Sequence, residues 1–280
     1  MAPELIDPCF QQPDGGSDGV RVENRVYPCW NLEGKRQGIV AMSESLSSRE
    51  GAMVVTGSAG GNSGESGRKP VIALVGALGA GKSTAARCLA RWGGRVIDGD
   101  ALGHEALQQP EIRAAVVQHF GPAIVRPDGS IDRRALGRIV FADPAQRYAL
   151  ERLVFPYIER RLREEIDQAQ HDPASRFVVV DAAVLLEAGW QNEVDRIVYV
   201  EAPPAVRHAR LQQRSGWTPE EIAAREASQW PAARKRAVAH AVLTNTGDPA
   251  ELQRQVDLLV QHWHLVPDGQ VCTGRDTSSC

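Results

Sequence analysis

The chain has 280 residues, of which 42% are hydrophobic and 24% charged, with a formal net charge of −3. That composition supplies a sizeable core and lacks the basic excess that nucleic acid or an anionic membrane surface selects, so neither is expected as a partner. Five cysteines without a CxxC pair, no apolar run near the ~20 residues that span a bilayer, and no secretory leader together predict a soluble, cytoplasmic protein with reduced thiols.

Residues 1–69 are dominated by QQPDGGSDG, SESLSS and GSAGGNSGESG. Such tracts offer little apolar surface to offset the entropy of ordering, so the segment is expected to be a disordered extension. Within it, Val20–Val26 and Met53–Val55 have strand-like composition, but no neighbouring segment offers a partner.

From residue 70 to 264, strand-like and helix-like segments alternate. Val71–Val75 is a continuous apolar run, as expected of a strand buried on both faces. Ala85, Cys88, Leu89 and Trp92 fall at i, i+3, i+4 and i+7, one face of a helix. Arg95–Asp98, Arg176–Val180, Arg196–Val200 and Ala241–Leu243 read as further strands. Helix starts are marked by Asp143-Pro144, Thr218-Pro219 and Asp248-Pro249, the last two with a glutamate three residues after the cap. Alternation of this kind predicts an α/β fold with a parallel sheet flanked by helices. Arg234-Lys235-Arg236 reads as a solvated helix face. Residues 265–280 are expected to form a flexible tail.

Between the first strand and the first helix, Gly76–Ser83 (GALGAGKS) satisfies G-x-x-x-x-G-K-[ST]. Glycines let the backbone curl round an anion, so that successive amides and the helix N-terminus hold phosphate oxygens. Gly79, Ala80, Gly81, Lys82, Ser83 and Thr84 are therefore the expected ATP-binding residues, with Lys82 reaching the terminal phosphates and Ser83 a candidate Mg²⁺ ligand. No guanine-reading NKxD follows, which excludes a GTPase switch.

Asp98 and Asp100 close the second strand in VIDGD, where carboxylates face ligands bound beyond the carboxyl ends of the strands. One of them can take the proton of an attacking hydroxyl. Asp100 also precedes a helix start, so helix capping is the competing reading for it. Asp181 ends the third clear strand, placed to meet Mg²⁺ or its waters. Arg207, Arg210 and Arg214 share one predicted helix face. A solvated basic stripe is the competing reading there.

GALGAGKST, VIDGDALGHE, FGPAIVRPDGSIDRRALGRIVFADPAQRYALERLVFPYI, VVVDAAVLLEAGW, RHARLQQRSGWTPEEIAAREASQ and LTNTGDPAELQRQV, in that order, resemble the dephospho-CoA kinase family over about residues 71–260. The resemblance implies a P-loop fold of nucleoside-monophosphate-kinase type, with an inserted helical substrate region and a lid. It implies transfer of the γ-phosphoryl of ATP, with Mg²⁺, to the ribose 3′-hydroxyl of dephospho-CoA, the last step of coenzyme A biosynthesis. By position, Asp100 matches the general base, Lys82, Arg207, Arg210 and Arg214 the charge-stabilising groups, and Asn245 and Gly247 a loop near the adenine. Glu187 and the helices of 101–170 match substrate-side elements. Four positions depart from the pattern: Ala77 replaces a glycine, Phe155 a histidine, and Ala183 and Leu186 a proline and a phenylalanine. Phe155 puts acceptor affinity in question, because an apolar ring replaces a hydrogen-bonding one. A shikimate-type kinase is the nearest rival enzyme, and the DGSIDRRALGRIVFADPAQRYALE insertion argues against it. Intact Lys82, Ser83 and Asp100 argue against a nucleotide-binding module that has lost catalysis.

Overall fold

The computed structural model describes Val54–Val55 and residues 67–267; Val20–Val26 lies outside them. Five parallel strands, β2 (Val71–Val75), β3 (Gly94–Asp98), β4 (Phe177–Asp181), β5 (Arg196–Glu201) and β6 (Ala241–Thr244), lie in the spatial order β6-β5-β2-β4-β3. The backbone of Val54–Val55 adds β1, antiparallel to β6, with Val54 opposite Val242 and Val55 opposite Ala241. The partner that local reading could not supply lies near the other end of the chain.

Alternate residues of the central strands enter opposite cores. Ile72 and Leu74 join Cys88, Leu89, Val256 and Leu259, from α1 (Lys82–Ala90) and α9 (Pro249–His262), on one face. Val71, Ala73 and Val75 join Leu102, Ile158 and Leu162, from α2 (Gly99–Gln108) and α5 (Pro144–His171), on the other. Burial on both faces is why these strands read as unbroken apolar runs. A smaller cluster of Val116, Ile124, Ile131, Leu136 and Val140 holds α3 (Pro110–Phe120) and α4 (Arg133–Ala142) against α5. Together they form a helical excursion between β3 and β4. A second excursion between β5 and β6 contains α6 (Pro204–Ser215), α7 (Pro219–Ala227) and α8 (Ala232–Ala237).

The predicted starts cap their helices. Thr218 and Glu221 form a reciprocal capping box, and Asp143 and Asp248 accept the amides of Ala145 and Ala250. Glu251 instead accepts a hydrogen bond from Gln255 Nε2 (3.2 Å).

Both expected domain boundaries fall inside packed structure. Leu265 and Val266 are buried in the α1–α9 core, although the tail was expected to begin there. Lys69 Nζ donates to Ala169 O (2.8 Å), Asp172 O (2.6 Å) and Ser175 Oγ (3.1 Å), tying the start of the domain to the carbonyl end of α5. A lysine there satisfies orphan carbonyls and complements the helix dipole. Arg68, by contrast, meets Asp195 in a half-exposed pair at 2.7 Å. Replacing Lys69 with Met should lower unfolding free energy by about 1.5–3 kcal/mol, the range for hydrogen bonds to a charged group. Replacing Arg68 with Met should cost below about 1 kcal/mol. Urea unfolding of the two variants measures the contrast, and equal losses would refute the capping role of Lys69.

Candidate active site

The sheet order puts β2 at the centre, with chain excursions to either side of it, so the carboxyl end of β2 opens into a crevice. The loop after β2 fills its floor. Gly79 and Gly81 have φ of 72° and 94°, conformations that glycine adopts without strain. Ala77 is absent from the positive-φ residues, so the family's glycine is not required there. Lys82 Nζ lies 3.3 Å from Gly76 O and 3.5 Å from Ala77 O, folded back over the loop. Burial holds its ammonium below the usual lysine range, with the Asp181 carboxylate pulling the other way. A phosphate in the loop would restore the counter-charge.

A cleft of about 620 Å³ lies above the loop. Gly79, Gly81, Lys82, Ser83 and Thr84 line it, as do Asp100, Asp181, Asn245 and Gly247. The buried Ala80 side chain stays behind the loop, while its carbonyl accepts from Asn245 Nδ2 at 2.9 Å. Ser83 Oγ donates to Asp181 Oδ2 at 2.7 Å. Burial raises the Asp181 carboxyl above the usual range, opposed first by that hydroxyl and then by Lys82.

The two aspartates of VIDGD divide their work. Asp98 Oδ1 accepts the amides of Asp100 (2.9 Å) and Ala101 (3.1 Å), so Asp98 is the N-cap of α2. The capping reading of Asp100 is therefore corrected: it sits in the first turn, exposed to the cleft. Its carboxylate makes no hydrogen bond or ion pair among the described residues.

The arginine stripe is divided as well. Arg210 and Arg214 line the cleft. Arg210 donates to Gly79 O (3.4 Å) and Asn245 Oδ1 (3.1 Å). Arg207 lies outside the lining, pairing with Glu226 and donating to Leu78 O at 3.1 Å, so it braces the loop from behind. Phe155 packs edge-on against Trp190 with ring centroids 5.3 Å apart, an apolar contact in the α5-side core.

One basic run was misread. Lys235, expected on a solvated face, is 1% exposed and lies 2.8 Å from Glu187. It also donates to Ala183 O (3.2 Å) and Gln229 Oε1 (3.1 Å). The flanking arginines do face outward: Arg234 lies over the Trp230 ring, and Arg236 meets Glu201 at 2.5 Å. Period and composition give no sign that the middle cation of RKR turns inward.

Strand, phosphate loop, helix, facing carboxylate and an arginine pair lining the same cleft define a P-loop kinase of nucleoside-monophosphate-kinase type. The dephospho-CoA kinase (CoaE) family profile matches residues 70–251. A dephospho-CoA kinase of Symbiobacterium thermophilum is 41% identical over 191 residues, covering 67% of this chain and 78% of that one. The crystal structure of TT1252 from Thermus thermophilus superposes with a TM-score of 0.58 at 36% identity, covering 69% of this chain and 97% of that one. Dephospho-CoA kinase from Campylobacter jejuni shares the fold, with a TM-score of 0.52, 22% identity and coverage of 69% and 96%. The chain belongs to the dephospho-CoA kinase family.

The loop geometry makes a sharp prediction. A Cβ at Gly81 would lie 2.0 Å from Asn245 Nδ2, on a backbone that side chains rarely adopt. Gly81→Ala should lose about tenfold or more in ATP affinity through the ~1–3 kcal/mol of strain and the displaced amide. Titration calorimetry with a non-hydrolysable ATP analogue measures it, and unchanged affinity would mean that the loop rearranges freely.

Proposed function

We propose that the chain transfers the γ-phosphoryl of ATP to the ribose 3′-hydroxyl of dephospho-CoA, giving coenzyme A and ADP. The observation that carries this reading is the uncommitted Asp100 carboxylate, which faces the same cleft as Lys82 and the phosphate loop. The loop amides and Lys82 hold the β- and γ-phosphates. Asp100 accepts the proton as the acceptor oxygen bonds to the γ-phosphorus, and the bond from that phosphorus to the bridging oxygen of ADP breaks. Arg210 and Arg214 offset negative charge on the transferring group, while Arg207 supports the loop that positions it. Asn245 and Gly247 border the nucleotide side.

Ser83 and Asp181 are hard oxygen donors already 2.7 Å apart, which fits Mg²⁺ held by few protein ligands and the nucleotide phosphates. When bound, the ion would neutralise phosphate charge. The surrounding region, about residues 203–230, acts as a lid that brings its arginines over ATP and withdraws for release.

Purified protein with ATP, Mg²⁺ and dephospho-CoA, shikimate or gluconate, monitored for ADP, tests the acceptor directly; turnover of shikimate or gluconate alone would overturn the reading. Asp100→Asn retains the Asp98 cap and the shape of the side chain. It should lower kcat by ~10²–10⁴-fold with ATP affinity within a few-fold. The lower end is expected, because a dissociative transition state demands less of the base. Near-native turnover with a normal fold would remove Asp100 from the mechanism. Hydrogen exchange over residues 203–230 should slow when an ATP analogue and dephospho-CoA are added together. Unchanged protection would leave the arginines as static surface.

A further inference from the structure

Beside α2, one turn beyond Asp100 and outside the lining of the cleft, one cation has no assigned work. Asp100 and His104 are i and i+4 on α2, a spacing that puts side chains on one face about 5–6 Å apart. Across from them stands Arg133, the first residue of α4, with Nη1 3.4 Å from His104 Nδ1. A guanidinium only donates, so Nδ1 accepts and the imidazole carries its proton on Nε2. Burial and the Arg133 charge hold His104 below the usual histidine range, which keeps it neutral in that role.

Stability does not account for Arg133. It is exposed, and among the described residues it has no carboxylate in ion-pair contact. The first turn of α4 contains no acidic residue, and the N-cap carboxylate of Asp132 is taken up by the amides of Arg134 (2.9 Å) and Ala135 (3.1 Å). The negative charge that it does sense is Asp100, which favours its charged form against burial. An arginine with no carboxylate in ion-pair contact, steadied by a neutral histidine beside the base, is arranged for an anion that arrives with the acceptor.

We propose that Arg133, held by His104, binds the 5′-diphosphate of the acceptor nucleotide and so selects a diphosphate-bearing ribose over a bare nucleoside. The inference rests on the acceptor reading above. Arg133, in contact with His104 one helical turn from Asp100, lies within the reach of a sugar whose 3′-hydroxyl is at Asp100. A planar guanidinium fork suits two phosphate oxygens, whereas an ammonium offers a point charge.

Steady-state kinetics on the full chain, with dephospho-CoA and ATP varied separately, supply the test. Arg133→Met, which keeps the stem and removes the fork, should raise KM for dephospho-CoA by about 10–100-fold, the equivalent of a lost hydrogen-bonded charge contact. KM for ATP should stay within a few-fold, kcat should fall less than KM rises, and Arg133→Lys should recover part of the loss. Adenosine, used as a competitive inhibitor of dephospho-CoA at saturating ATP, should bind Arg133→Met and the parent chain equally. An unchanged KM for dephospho-CoA would overturn the proposal. So would an equal weakening of adenosine, which would make Arg133 a neighbour that shapes Asp100 and not a diphosphate ligand. A parent chain inactive on dephospho-CoA would overturn the acceptor reading instead. Thermal melting of each variant separates these outcomes from loss of fold.

Discussion

The side-chain amide of Asn245 is the contact on which the nucleotide half of the site depends. It donates to Ala80 O inside the phosphate loop and accepts from Arg210 of α6, while its backbone N–H donates to Glu201 O at the end of β5. One buried amide therefore ties sheet, loop and α6 together, and a buried amide with its donor and acceptor both used is costly to disturb. Its own placement is fixed from behind. Gln255, 2% exposed on α9, accepts from Thr244 N (2.8 Å) and donates to Thr244 O (3.0 Å), ending β6 where Asn245 must turn inward. The chain that leaves the sheet last thus sets the shape of the loop that leaves it first.

A second buried contact organises the segment that follows β4. Glu187 accepts from Trp230 N (2.7 Å) and pairs with Lys235, so the segment after Asp181 is clamped to α8 and the turn before it. Glu187 Oε2 is buried without a hydrogen-bond partner. Buried ion pairs contribute little net stability and are worth more as constraints on geometry, because breaking one leaves an uncompensated charge. Here the constrained segment includes Ala183, whose carbonyl accepts from Lys235 and whose side borders the cleft. The two helical excursions are linked by the Arg225 guanidinium, 4.6 Å from the Phe141 ring centroid on α4 and 4.1 Å from that of Trp217 between α6 and α7. α4 and α7 are therefore in contact through cation–π stacking.

How much of this was legible depended on whether the cause was local. The phosphate loop, the strand cores and the caps at Asp143, Thr218 and Asp248 follow from short-range chemistry, and the structure places them within a residue or two of expectation. Asp98 and Asp100 show the limit of that reading. Both are aspartates near a helix start, and the choice of cap turns on backbone geometry at one residue, Asp98 with φ −92° and ψ 106°. β1 and Lys69 needed partners remote in sequence, Val242 and the end of α5. Lys235 needed a partner as well as an inward rotation that a hexapeptide helix cannot encode by period. Arg207 had the right helical spacing but not the right destination, because Glu226 on the following helix turns it away from the cleft.

The distribution of charge around the cleft follows the demands of transfer. Arg210 spends its donors on Gly79 O and Asn245 Oδ1, whereas Arg214 lines the cleft with no partner among the described residues. A committed cation holds the loop in shape, and an uncommitted one is left at the cleft surface. The same division recurs on the opposite wall, where Asp98 is consumed by capping and Asp100 is left exposed. Each wall therefore pairs one residue that secures the backbone with one that is free to act, and it is the securing residue that gives its neighbour a defined position.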